Sequence, residues 1–524
     1  MKRIWVLFSI TISLSTHAQT VEDLRTYFQT SIAAQNFLKT VYQNRGFEPI
    51  FSRNGQWLLS SSDLVQIEKS IRTQGLSSGD YSLKHIQEML KNSGDLKSEI
   101  FIADNIFKSI VHTVTGRVDP RTVASDIKYV PKPFTQTTIF STIKANEIAG
   151  LYDKVAPKNK IYIGLQNALS RLAELEAKNL WVNITPVAVS AGSSHPTVTE
   201  IKQKLKLIGY TFQNEESIFD AEFGATLDKI AQELSVPAEK NLTTTSKVWR
   251  VINADIRSRV RETELQMEKV RWLPDELESR HAIANIGNQM FYVQDLELNP
   301  QQLVFNFKAI NGSISRKTPT MKDKVQSVIL NPTWTVTMNI FFNDKLPLIK
   351  KDPSYLKRNG FRVVSLKTDQ EIDPSTINWK NVTRQNIDFQ VVQKPSYNNA
   401  LGIVKFPMTN QYSIYLHDTG DRHLFKNNYR LLSSGCVRLE KPLDLAEYLL
   451  ANTTWNRSRI DSTVAKPGQS IESPTGIRLA KPLTIYIVNL TVNQDDQRIQ
   501  FFDDYYGHNS QLYKKLLALG FLKN

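Results

Sequence analysis

Cysteine is nearly absent from this 524-residue chain: there is one, Cys436. A lone thiol cannot close an internal disulfide, so the fold must be held without covalent staples. Long apolar runs are also missing. Spanning a bilayer takes about 20 consecutive apolar residues, and no segment supplies them. The chain has no Gly-rich phosphate loop and no His/Cys pattern at zinc-ligand spacing, so neither a metal nor another cofactor is expected. No nucleic-acid-binding motif is present either. Acids are in deficit, with 51 Asp and Glu against 65 Lys and Arg, a formal charge of +14. Such a surplus suits anionic partners. An apolar content of 41% is enough for real cores and excludes wholesale disorder.

The first residues read MKRIWVLFSITISLSTHAQ. Lys2 and Arg3 form a positive start, Ile4 to Ser15 a short apolar stretch, and Thr16-His17-Ala18 a small-residue ending. That order predicts a secretory signal peptide over 1–18, cleaved after Ala18. The mature chain, at +12, is then expected to be soluble and periplasmic, with cell-wall polymers as its nearest anions.

The rest predicts a multidomain α+β protein. Residues 19–192 read as a helical scaffold; within it Ile102, Ile106, Ile110 and Val114 recur every four positions until Gly116 and Pro120 stop the helix. His112 falls off that stripe and is expected at the surface. Residues 193–254 form a small helical unit, with Ile201, Leu205 and Ile208 on one face. Residues 247–273 read as one long helix ending at Pro274, its charged remainder solvated, and 255–275 is taken as the linker. From 276 to 524 the pattern is β-rich. Leu303, Phe305, Phe307 and Ala309 alternate with polar residues before a predicted turn at Asn311-Gly312. GIVKF, YSIYLHD and LTIYIVNLTV read as strands and PLDLAEYLL as a helix, while 340–396, rich in proline, reads as a loop-like insertion.

The chemistry concentrates in QYSIYLHDTGDRHLFKNNYRLLSSGCVRLE. Strand alternation puts Tyr412, Ile414 and Leu416 on a core face and Ser413, Tyr415 and His417 on an open one. Nineteen residues after His417 comes Ser433-Ser434-Gly435-Cys436-Val437-Arg438. A thiol near its ordinary pKa is only a few per cent ionised at neutral pH and needs a base or a cation beside it. His417 can take its proton and return it to a departing amine. Gly435 permits close backbone approach, and the amides of Gly435 and Cys436 can donate to an oxyanion. Arg430 and Arg438 offer planar forks that match a carboxylate. Tyr415 either orients substrate or bonds locally. His423 is expected in a solvated loop, Trp334 and Trp379 in core or lid packing, and Asp503-Asp504 in water.

This string resembles the signature of the L,D-transpeptidase (YkuD-type) catalytic domain, a His-Gly/Asp-Thr-like strand end followed by Ser-His/Ser-Gly-Cys-x-Arg/Asn. The resemblance assigns Cys436 as nucleophile and His417 as base, with the Ser433 carbonyl orienting the histidine. RKTPT at 316–320, LNPTWTV at 330–336, DPSYL at 352–356 and NALG at 399–402 resemble the long periplasmic subgroup, in which the 340–396 insertion would be a capping lid. Pro395-Ser396-Tyr397 departs from the usual Pro-Gly-Pro-like turn. The 193–254 stretch is similar to a peptidoglycan-binding module, though a plain helical spacer fits as well.

The resemblance implies peptidoglycan tetrapeptide stems as donor and acceptor, cross-links between two diaminopimelate residues through a Cys436 thioester, and carbapenem-type β-lactams as inhibitors. Two alternatives stand beside it. One is L,D-carboxypeptidase, endopeptidase or D-amino-acid exchange on the same thioester. The other is a wall-binding scaffold without catalysis.

Overall fold

A computed structural model describes residues 21–29, 36–300, 302–495 and 497–522. The expected signal segment, 1–18, lies outside the described residues.

The helical scaffold forms where the periodicity placed it. The helix Leu96–Thr115 starts at Asp95, whose carboxylate accepts the Ser98 N–H, and buries Ile102, Ile106, Ile110 and Val114. Gly116, at φ 78°, ends it. His112 is not a solvated residue. Its Nδ1 lies 3.0 Å from the Tyr81 hydroxyl, and the edge of Phe521, from the far C-terminus, meets its ring. Periodicity along one helix cannot anticipate a cover supplied by the end of the chain.

The 193–254 unit is built on helices Pro196–Lys206 and Ala221–Glu233, with Ile201, Leu205 and Ile208 fully buried. Gly209 brings its backbone so close to the hairpin at 492–501 that a Cβ there would sit 2.0 Å from the Gln497 carbonyl. Beyond it, the single long helix expected over 247–273 is two: Trp249–Ile252 and Ile256–Val270, the second capped by Asp255. Its charged side is solvated only in the first half, where Arg257 is exposed. Gln266, Glu268, Lys269 and Arg271 are buried because the helix runs between the scaffold and the C-terminal elements. Arg117 of the scaffold pairs with Glu268 at 3.0 Å and with Asp80 at 3.2 Å, all three side chains fully enclosed.

The β-rich part is a nine-stranded sheet: β1 (Arg280–Asn285), β2 (Met290–Asp295), β3 (Phe305–Gly312), β4 (Met321–Leu330), β5 (Val404–Phe406), β6 (Leu416–His417), β7 (Leu431–Ser433), β8 (Val437–Leu439) and β9 (Thr475–Val488). The spatial order is β7-β3-β8-β6-β5-β4-β9-β1-β2, and β2 also pairs with β3, so the sheet curls back on itself. Val404, Phe406, Leu416, Val437 and Leu439 point into its core, where the predicted helix Pro442–Leu450 packs. Asn311-Gly312 is not the turn; both residues belong to β3, and the chain reverses over 313–316. Gly312 is needed because a Cβ would meet the Arg316 carbonyl at 2.2 Å. The sheet ends at Val488. The following hairpin, Val492–Asp495 with Arg498–Phe501, and the helix His508–Ala518 join the helical core instead.

The insertion is a folded unit and not a loop. Strands Trp334–Thr335, Phe361–Ser365, Glu371–Ile372 and Phe389–Gln393 make a four-stranded sheet with its own core around Trp334, Phe341, Ile349, Leu356, Trp379 and Phe389. Its prolines sit at helix starts and turns, which a composition reading takes for irregular chain.

Candidate active site

The floor of the site is a register effect. β6 pairs with β5 so that His417 lies opposite Lys405, and with β8 so that His417 lies opposite Arg438. Paired residues point to the same face, and the partners on the other face are the core residues Leu416, Phe406 and Val437. Two residues back along each strand direction stand Tyr415 and Cys436, joined by the Val437 N–H donating to the Tyr415 carbonyl at 3.2 Å. One side of the sheet therefore carries Lys405, His417, Arg438, Tyr415 and Cys436.

The expected alternation fails just before β6. Ser413 adopts φ 58°, and Tyr412, assigned to the core face, is exposed. Asn410 anchors this kink: its side chain accepts the Tyr412 and Ile414 N–H groups and is held in turn by buried Asp323. The kink aims the Ser413 carbonyl at the nucleophile, and the Cys436 thiol donates to it at 3.6 Å. The thiol makes no hydrogen bond to His417 in this arrangement.

Electrically the resting pair is neutral. Burial, then the Arg438 guanidinium, bring His417 down to about 3. Burial pushes the Cys436 thiol up to about 11, against the opposing pull of the Tyr415 hydrogen bonds and of Lys405 and Arg438. Between those limits the site holds a thiol and an uncharged imidazole. The imidazole Nδ1 is buried without a partner. The Ser433 carbonyl, expected to orient it, instead accepts the Ser313 N–H at 2.9 Å.

The nucleophile loop is braced from below. The Ser433 hydroxyl donates to the Cys436 carbonyl at 2.5 Å and accepts the Gly435 N–H at 3.1 Å. The Gly435 amide is thus engaged and not open to an oxyanion, which leaves the Cys436 amide as the donor at the loop. Gly435 itself sits at φ 121°, a conformation closed to other residues without strain. The Thr318 hydroxyl holds the Gly435 carbonyl at 2.7 Å, which places the RKTPT segment directly under the loop. Arg316 donates to the Ser434 hydroxyl at 3.0 Å and grips Asp344 of the insertion through both of its terminal nitrogens. Tyr415 packs against the insertion's core, so the insertion covers the site.

The two arginines divide. Arg438 donates to the Thr419 hydroxyl at 3.1 Å and pairs with Asp421 at 3.6 Å, bracing the loop that follows His417. Arg430 is not a substrate residue. It is buried, and its fork is taken up by the carbonyls of Ala309, Asn427, Asn428 and Gln289. The reading from residue type overlooked that a guanidinium satisfies a sheet edge as readily as a carboxylate. His423 is exposed, and Trp334 and Trp379 pack within the insertion, as expected. Asp503 and Asp504 are not free in water. Asp503 pairs with Arg250, and Asp504 accepts the His508 and Asn509 N–H groups at the start of the last helix.

Three residues escaped the sequence reading. Thr318 and Asp418 carry no signal in spacing alone; Asp418 fastens the NALG turn by accepting the Ile403 N–H at 2.9 Å. Lys405 could have been found, since it is the one charge inside the predicted strand GIVKF.

Comparison with known proteins bears on the family. Residues 279–463 match the YkuD family, described as the L,D-transpeptidase catalytic domain, and residues 36–169 match a scaffold domain. A Haemophilus influenzae protein whose name assigns it, provisionally, to the L,D-transpeptidases is 33% identical over 210 residues, which is 40% of this chain and 41% of that protein. Among solved structures, an L,D-transpeptidase from Stackebrandtia nassauensis is 12% identical, covering 58% of this chain and 98% of that one, with a TM-score of 0.22. One from Xylanimonas cellulosilytica is 9% identical, covering 58% and 100%, with a TM-score of 0.18. Overlays that loose add nothing to the argument. The family match and the similar sequence suffice: this chain carries an L,D-transpeptidase catalytic domain of the YkuD family behind an N-terminal scaffold domain.

Proposed function

We propose that the protein is a periplasmic peptidoglycan L,D-transpeptidase that works through a Cys436 thioester. The observation that carries this reading is the gathering of the chain's one thiol, a buried neutral imidazole and two cations on one side of a sheet, beneath a folded lid. Cys436 Sγ attacks the carbonyl of the third-position diaminopimelate, and His417 takes the thiol proton. The tetrahedral oxyanion is met by the Cys436 amide. Collapse breaks the amide bond to the terminal D-Ala, whose amine leaves with the proton from His417. The side-chain amine of a second diaminopimelate then attacks the thioester, the C–S bond breaks, and the amine's proton passes through His417 back to Cys436 Sγ as the cross-link forms.

A thiol held at about 11 is ionised about one part in ten thousand at pH 7, a cost of roughly 5 kcal/mol. Attack and proton transfer must therefore be coupled, and Sγ must leave the Ser413 carbonyl to make it. That the thiol bonds the Ser413 carbonyl and not His417 fits a resting enzyme, in which such hydrogen bonds form or tighten only with substrate in place.

Incubating the purified protein with tetrapeptide muropeptides and weighing the products tests the reading. Cross-linked dimers are expected, with loss of at least about a thousandfold in Cys436→Ala. Release of free D-Ala without dimers would mean that water is the acceptor. Full activity in Cys436→Ala would end the thioester scheme. Carbapenem-type β-lactams should add their mass to Cys436 and leave the alanine variant unmodified.

A further inference from the structure

Each arginine around the nucleophile has its own acid. Arg316 grips Asp344, Arg422 holds Asp418, and Arg438 pairs with Asp421. Lys405 has none among the described residues. It is half-buried in β5, fixed opposite His417 by strand register, with Nζ 4.0 Å from the centre of the Tyr415 ring. The Tyr415 ring in turn lies 5.6 Å from that of His417. Burial pulls the Lys405 ammonium down and an ionised Cys436 would oppose that, while Lys405 in turn draws the Cys436 thiol down against its own burial.

A desolvated ammonium without a carboxylate is costly unless some other negative group uses it. We propose that Lys405 is the counter-ion of the ionised Cys436, held by the β5–β6 register and the Tyr415 face on the side of the sheet where the sulfur becomes a thiolate. Lys405 keeps its protons throughout; the proton leaving sulfur goes to His417. Arg438 also draws the sulfur down, but part of its fork is already held by Thr419 and Asp421. His417 cannot serve, since it is uncharged before the transfer. The inference deepens the thioester reading and rests on it for its purpose, but not for its test.

Because Cys436 is the only cysteine, iodoacetamide reports on this sulfur alone. An opposite charge at close range lowers a pKa by about 1–3 units. Losing it cuts the thiolate fraction about 10- to 1000-fold, and the greater nucleophilicity of the more basic thiolate restores roughly half of that on a logarithmic scale. Lys405→Met should therefore alkylate about 3- to 30-fold more slowly than the parent at pH 8, while Lys405→Arg stays within about twofold. If Lys405 serves only to pack on Tyr415, Lys405→Met will alkylate as fast as the parent, and the proposal falls. It falls equally if Met and Arg slow the reaction by the same factor. The assay uses the full chain without substrate, so a failure of cross-linking would leave this result standing, and the reverse.

Discussion

At the scale of single residues, burial dominates the titration behaviour. His112 and His417 are both brought down to about 3, by burial first. In the unfolded chain each would titrate near 6.5. Between those values the unfolded state binds protons that the folded state refuses, so their contribution to stability is complete above about pH 6.5 and is lost as the pH falls toward 3. His112→Gln removes one such group at a distance from the nucleophile. Its unfolding free energy should fall less steeply than the parent's between pH 6 and 4, measured by urea titration at each pH. Parallel curves would mean that His112 is freely protonated in the fold. The same scale shows what the sequence could reveal. Cys436 and His417 stood out because type and spacing together are rare, and strand register puts both on one side of the sheet, whereas Arg430 was misread because its type says nothing about which oxygens surround it.

At the scale of elements, periodic segments were legible and their partners were not. The helices Leu96–Thr115 and Pro442–Leu450 follow from apolar spacing alone. The strand before His417 did not, since a left-handed Ser413 breaks alternation for the sake of an Asn410 turn. The insertion was hidden for a related reason: its strands are short and its prolines start helices. The Arg316–Asp344 pair fastens this insertion to the nucleophile loop and is about one-third exposed. Such pairs contribute about 1 kcal/mol at most. Asp344→Asn should therefore leave the melting temperature almost unchanged, yet free the cover enough to speed modification of Cys436 by a bulky maleimide up to about fivefold. An unaltered maleimide rate would show that the insertion's apolar core, and not this pair, keeps it shut.

At the scale of the molecule, the scaffold and the β-rich part meet around a helix whose second half encloses its charges. Arg117, Asp80, Glu268 and Arg271 form one buried network there. Removing one member leaves uncompensated charge behind, at about 3–5 kcal/mol. Glu268→Ala should lose that much by chemical denaturation and expose the 255–273 stretch to protease. A variant as stable as the parent would mean that the network is not what joins the two parts. This burial was invisible in the sequence because a helix rich in Arg and Glu looks the same whether water or another domain surrounds it. The solitary protonated sulfur also bears on how long a molecule lasts. Peroxides attack thiolates, and a chain with no second cysteine has no internal partner to rescue a sulfenic acid. Burial that keeps the Cys436 thiol protonated therefore shields it from oxidants, and each copy's lifetime is set by how seldom this sulfur is ionised.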